Sequence, residues 1–280
     1  MRLSPSQLQI KVRLAPSKPH SVYIGYRQES VCGRFNIITD PQAWMDALDV
    51  VYSIIEEGGF EPRYNISPSE PPLPAGSQRA SPRRITRVPI VLQRGDELVG
   101  EDAIWPLIPV WARGEVPKYS TANARSEEMA DKNAYRNAWK REQRCLIYAT
   151  GFYEWQARPG FRTKQPWHIR LKGQDGFAFG GLWESSRASD GTEVLSCTIV
   201  TLPANELMRG IHNAGRNRHR MPLILPWEAQ KAWLEAPAMS AMDKVAAVPS
   251  EALEAWPVST AVNNPNYDDA RVREPVKFSD

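Results

Sequence analysis

Cys32, Asn123, Arg125, Glu154 and a histidine, His212 or His219, are the residues whose types and neighbours could carry chemistry in this chain. Cys32 stands at the head of "CGRF", where a thiolate would be a nucleophile; a lone cysteine is otherwise a small buried apolar group. Glu154 sits inside "GFYEWQ", flanked by Phe152, Tyr153 and Trp155. Aromatic bulk on that scale would desolvate a carboxyl and raise its pKa toward the range useful for proton transfer. The plainer reading is a paired carboxylate on a strand. In "TANARSEE", Asn123 and Arg125 are two residues apart, so an extended segment would point both to one side. Asparagine offers two donors and an acceptor, and arginine a planar fork suited to phosphate. Asn123 could equally cap a helix.

Such groups need a scaffold. At 280 residues and 42% hydrophobic content the chain can bury its own core as one large or two small domains. Twenty-four prolines and ten tryptophans among strand-like runs favour a loop-rich α+β protein over a helical bundle. A net charge of +3 does not by itself imply a nucleic-acid partner, but cations are clustered at Arg79, Arg83, Arg84 and Arg87 and again at Arg216, Arg218, His219 and Arg220. Three cysteines without paired spacing argue against a disulfide framework or a structural zinc site, so a reducing cytoplasm is expected. No apolar run approaches the roughly 18 residues of a membrane helix.

Residues 1–30 hold five Lys/Arg, one acid and prolines at 5, 16 and 19, with no apolar h-region, and read as a basic leader outside the mature fold. The segment 40–59 predicts a helix capped by Asp40, started by Pro41, carrying Trp44, Leu48, Val51 and Ile55 on one face and ended by Gly58 and Gly59. "RVPIVLQRG", "ELVGEDAIWPLIP", "RCLIYATGFYEW", "PWHIRLK", "FAFGGLWE" and "VLSCTIVTLPA" read as strands. A helix is expected around Met129, Tyr135 and Trp139, and a last one over "PWEAQKAWLEA".

The ordered set "CGRF", "RYNISP", "WPLIPVWA", "NARSE", "RCLIYATGFYEW", "IHN" with "RMPLIL", and "VSTAVNN" resembles the SOS-response-associated peptidase (SRAP) family of abasic-site-processing proteins, from Cys32 to about Asn264. The resemblance implies a single domain over 32–280 of antiparallel strands in a barrel-like core with a few helices. It also implies a cleft for single-stranded DNA and covalent capture of abasic sites by an N-terminal cysteine, without a cofactor. An abasic site exposes an aldehyde, an amine converts it to an imine, and the neighbouring thiol closes a thiazolidine. An internal cysteine cannot do this, because its nitrogen is an amide. The active form is therefore expected to begin at Cys32, through initiation at Val31 or cleavage of the basic leader, for which Cys32 itself, acting as an autopeptidase, is one candidate; the resemblance also implies a lyase-like activity.

By the same resemblance Glu154 moves protons, Asn123 and a histidine hold the opened sugar, and Arg34, Asn65, Arg125 and Arg220 contact DNA, with Trp105 or Trp111 wedged against bases. Here the family's short histidine loop is lengthened to "IHNAGRNRHRMP". His212 keeps the upstream context, and His219 keeps proximity to Arg-Met-Pro. The implied setting is a bacterial cytoplasm with nucleoid association during repair, a monomer and no membrane. Two alternatives remain open: a noncovalent single-strand binder and a cysteine peptidase acting in trans.

Overall fold

The computed structural model describes residues 33–51, 59–73, 76–77 and 82–277. Thirteen strands stand among them: β1 (Arg34–Ile37), β2 (Arg63–Ile66), β3 (Arg87–Arg94), β4 (Glu97–Ile104), β5 (Asn123–Arg125), β6 (Arg144–Ala149), β7 (Gly151–Gln156), β8 (Gln165–Leu171), β9 (Phe177–Arg187), β10 (Glu193–Pro203), β11 (Arg220–Pro222), β12 (Ile224–Leu225) and β13 (Leu253–Pro257). The helices are short: α1 (Gln42–Ala47), α2 (Arg136–Lys140), α3 (Glu206–Ile211), α4 (Trp227–Glu235) and α5 (Ala238–Ala241).

Five strands close on themselves. β4 pairs with β3, β3 with β6, β6 with β9 and β9 with β10, all antiparallel, and β10 returns to β4 through a parallel pairing of Ser196 with Ile104. β5 and β11 extend β10, and β12 extends β9. A second, wholly antiparallel sheet runs β13-β8-β7-β1-β2. The fold is thus the expected α+β barrel with few helices, although β10 takes two neighbours in parallel.

Strand alternation explains why both faces of the barrel are buried. On β3, Ile90 and Leu92 point into one core and Val91 into another; on β6, Cys145 and Ile147 oppose Leu146 in the same way. The first core is shared with the second sheet, whose Phe35 and Phe152 meet Phe179 edge-on at 5.8 and 6.0 Å. The other core lies under the helices, where Met45, Leu48 and Trp233 cover Val91, Leu146 and Val200. Arg144, 2% exposed, crosses this layer to donate to the carbonyls of Trp233, Leu234 and Ala236, closing the C-terminal end of α4.

Three expectations are corrected. The helix expected over 40–59 is cut to Gln42–Ala47: Asp49 turns to φ 59° and Val51 is exposed, while Ile55 and Gly58 lie outside the described residues. Asp40 accepts from the Gln42 amide, but Pro41 occupies the cap position. Around Met129 and Tyr135 the chain makes successive turns, and only Arg136–Lys140 is helical. "RCLIYATGFYEW" is two strands rather than one, because Thr150 breaks the ladder and sends β6 into the barrel and β7 into the second sheet.

Candidate functional site

Glu154 lies on β7 and is 1% exposed. β1 runs antiparallel beside it with Arg34 opposite Tyr153, so the start of the described chain lies next to Glu154. Cys32 is outside the described residues, two positions before Arg34. The adjacent residues of β7, β1 and β8 carry a buried polar chain. The Thr150 hydroxyl donates to Asn36 Oδ1 at 2.7 Å, and Asn36 Nδ2 meets His168 Nε2 at 2.8 Å and the Tyr153 hydroxyl at 3.2 Å; that hydroxyl donates to the Tyr64 carbonyl. Burial, with Arg273 and Arg170 adding to it, pushes His168 down to about 3, so this ring is neutral at pH 7. Gly151 is required here, since a Cβ on it would lie 2.4 Å from His168 Nε2.

Three motifs from distant parts of the chain converge on Arg34. Its guanidinium donates to Asn65 Oδ1 at 3.0 Å and to the carbonyls of Val262 and Asn263. Burial, reinforced by the charge of Arg84, lowers Arg34 to about 10, which leaves it protonated at neutral pH. Asn65 is 4% exposed, and its Nδ2 is spent on the carbonyls of Val262, Asn264 and Tyr267. It therefore positions Arg34 and the 262–267 segment instead of reaching DNA, which corrects the expectation for Asn65. Trp155 joins the same clasp by donating to Asn263 Oδ1 at 2.7 Å.

Asn123 and Arg125 occupy β5, and Ala124 between them turns into the core. The two side chains share one side as expected, and both line a pocket of about 350 Å³ with Tyr119, Glu128 and Tyr135. Neither amide atom of Asn123 has a hydrogen-bond partner among the described residues. Arg125 is aimed by Glu128 Oε1 at 3.0 Å and by Asn217 Oδ1.

His212 connects these two regions. It closes the C-terminal end of α3, is 7% exposed, and its Nδ1 lies 3.2 Å from the Arg220 carbonyl. The residues around it are fixed to β7 and the turn beyond: Gln156 donates to the Gly210 carbonyl, and Asn213 exchanges two hydrogen bonds with Ala157. His219 lies across the neck of the 213–218 loop, its amide donating to the His212 carbonyl at 2.8 Å, and it adopts φ 62°. Arg220 is buried and committed, forming a fork with Glu127 and also donating to the Thr201 hydroxyl and carbonyl. The expected phosphate contact by Arg220 is thereby corrected to a structural clasp.

The two tryptophans divide. Trp105 is fully buried and donates to the Ala122 carbonyl, so it packs the core and cannot touch a base. Trp111 is 46% exposed and stacks on Tyr119, 53% exposed, at 6.3 Å between ring centres. The sequence gives no sign of Tyr119's part, because nothing local marks it as Trp111's partner. Within the first arginine cluster, Arg83 pairs with Glu115, Arg84 with Glu70, and Arg87 donates to the Asp102 carbonyl; Arg79 is outside the described residues. Cys145 and Cys197 are buried in the barrel with thiols pushed well up by desolvation, which removes them as nucleophiles.

The family model described as "SOS response associated peptidase (SRAP)" matches residues 31–265. The chain belongs to this family. It is 33% identical over 248 residues to the abasic site processing protein YoqW of Bacillus subtilis, covering 87% of this chain and 99% of that one. The abasic site processing protein HMCES of Gallus gallus is 31% identical over 252 residues, covering 80% of this chain and 69% of the relative. Among solved structures, a Bacteroides thetaiotaomicron protein superposes with a TM-score of 0.68 at 20% identity, covering 88% of this chain and all of that one, which speaks for the fold. A Bordetella bronchiseptica protein gives 0.64 at 25% identity, covering 81% of this chain and all of that one. Among the described residues no helix is long and apolar enough to cross a membrane.

Proposed function

We propose that this SRAP protein captures abasic sites in single-stranded DNA covalently, through Cys32 as the N-terminal residue of the active form. The observation that carries this reading is the pairing of Arg34 with Tyr153, which sets the chain just downstream of Cys32 against buried Glu154. An α-amine titrates at about 7.7 to 8.0, so a useful fraction is neutral at cellular pH. The amine nitrogen bonds to the aldehyde carbon of the opened sugar, water leaves, and the thiol sulfur then adds to the imine carbon while its proton passes to nitrogen. Glu154 carries protons in both steps. Asn123, with no partner for its amide among the described residues, and His212 hold the sugar oxygens.

Arg34 and Arg125 supply guanidinium donors for the phosphates flanking this chemistry, and the exposed Trp111–Tyr119 stack offers a flat face to an unstacked base. His212 is the better candidate of the two histidines: it is tied to β7's end through Gly210 and Asn213, whereas His219 sits on the neck of an insertion. The reading is tested by incubating the chain beginning at Cys32 with an abasic single strand and resolving the products on a denaturing gel. A shifted band that survives denaturation is expected. Binding that vanishes on denaturation would assign the protein to noncovalent recognition, and cleavage of a peptide panel without DNA capture would assign it to proteolysis.

A further inference from the structure

The loop 213–218, "NAGRNR", and the β7–β8 turn 157–164, "ARPGFRTK", hold five cations and no acid in fourteen residues of a chain whose net charge is only +3. The structure joins them into one surface. Asn213 exchanges two hydrogen bonds with Ala157, and Lys164 Nζ reaches the Ala214 carbonyl at 3.5 Å. Arg162, Arg216 and Arg218 are exposed, Lys164 is half-buried, and Phe161 stands 45% exposed with the Arg158 guanidinium 3.9 Å above its ring. The surface adjoins the site at two points. His212 immediately precedes Asn213, and Asn217 accepts from Arg125.

Single-sign charge concentrated on a surface beside a site raises the local concentration of the opposite charge, and cations with an exposed aromatic suit a phosphate backbone with bases to stack. We propose that loop 213–218 and turn 157–164 form one platform that grips the phosphates of nucleic acid flanking the reacting nucleotide, on the His212 side of the site. It rests on the reading of the site as a DNA-capturing one. The insertion then has two functions: Asn217 aims Arg125, and Arg216 and Arg218 lengthen the path along the backbone.

The test compares the wild type with a variant carrying Arg162→Gln, Lys164→Gln, Arg216→Gln and Arg218→Gln, and with a charge-matched control carrying Lys140→Gln, Lys172→Gln, Arg187→Gln and Lys244→Gln. Equal thermal midpoints establish that all three are folded. Binding of intact oligonucleotides without an abasic site is followed by fluorescence anisotropy across salt concentration, once with a single strand and once with a single strand joined to a duplex. Each phosphate that the protein no longer neutralises should make the log K against log salt slope shallower by about 0.7 on a single strand and about 0.9 on a duplex. The platform variant is expected to lose about three in slope relative to the control, by that same count for four charges. A loss confined to the joined substrate assigns the platform to duplex phosphates, and a loss on both assigns it to single-strand phosphates. A platform variant that matches the control while the wild type binds and captures DNA would overturn this inference alone. A wild type that binds no DNA would overturn the proposed function with it.

Discussion

Glu154 and His168 lie on neighbouring strands of one sheet and do opposite things with their burial. Glu154 is placed beside the incoming chain, so Glu154→Gln, which keeps shape and removes the proposed proton carrier, is expected to slow crosslinking by about 10²- to 10⁴-fold while leaving noncovalent DNA binding nearly intact. Single-turnover gels read this directly, and a wild-type rate across neutral pH would take Glu154 out of the chemistry. His168 is instead a stability group. Unfolded it titrates near 6.5 and folded near 3, so between those values the unfolded chain binds the extra proton and acid favours unfolding. Its contribution is complete above about pH 6.5 and is lost toward pH 3 at up to about 1.4 kcal/mol per pH unit. Urea midpoints at pH 7 and pH 5 should therefore diverge less in His168→Gln than in wild type; an unchanged difference would mean that His168 does not carry this acid sensitivity.

At the scale of elements, the long strands and the last helix, α4, were legible, whereas the extents of α1 and α2 were not, for a physical reason. The strands of β3, β9 and β10 announce themselves by apolar runs bounded by turn residues, and tertiary pairing reinforces that local signal. A helix of six residues such as α1 is too short to hold itself and depends on tertiary packing for its extent, which no local pattern records. The break between β6 and β7 was hidden for a similar reason: the Thr150 hydroxyl is held by Asn36, more than a hundred residues away, and only the fold brings them together. Gly151 marks the cost of that arrangement. Gly151→Ala is expected to destabilise the chain by about 1 to 3 kcal/mol through overpacking against His168 and Asn36, read from chemical denaturation. A neutral effect would show that the His168 ring can move aside. In the candidate site the residue types of Asn123, Arg125 and Glu154 were readable, but the occupations of Asn65, Trp105 and Arg220 were not. Their partners, the 262–267 carbonyls, Ala122 and Glu127, are set by long-range packing.

For the whole molecule, the barrel and the second sheet place two groups of residues on different sheets and join them by the 212–220 segment. His212→Ala is accordingly expected to impair capture or release of the abasic site more than His219→Ala in single-turnover assays, and the reverse order would assign the insertion to the other side of the histidine. The proposed reaction requires the amine of Cys32 to be free. The most direct measurement compares the full-length chain with one beginning Met-Cys32, from which the initiator is trimmed, for covalent capture of abasic single-stranded DNA, with both N-termini verified by intact mass. Capture by the chain beginning at Cys32, and none by a full-length chain that mass shows to be uncleaved, is the expected result. Equal capture by the uncleaved full-length chain would contradict the N-terminal cysteine mechanism and would point to a lysine Schiff base or another nucleophile.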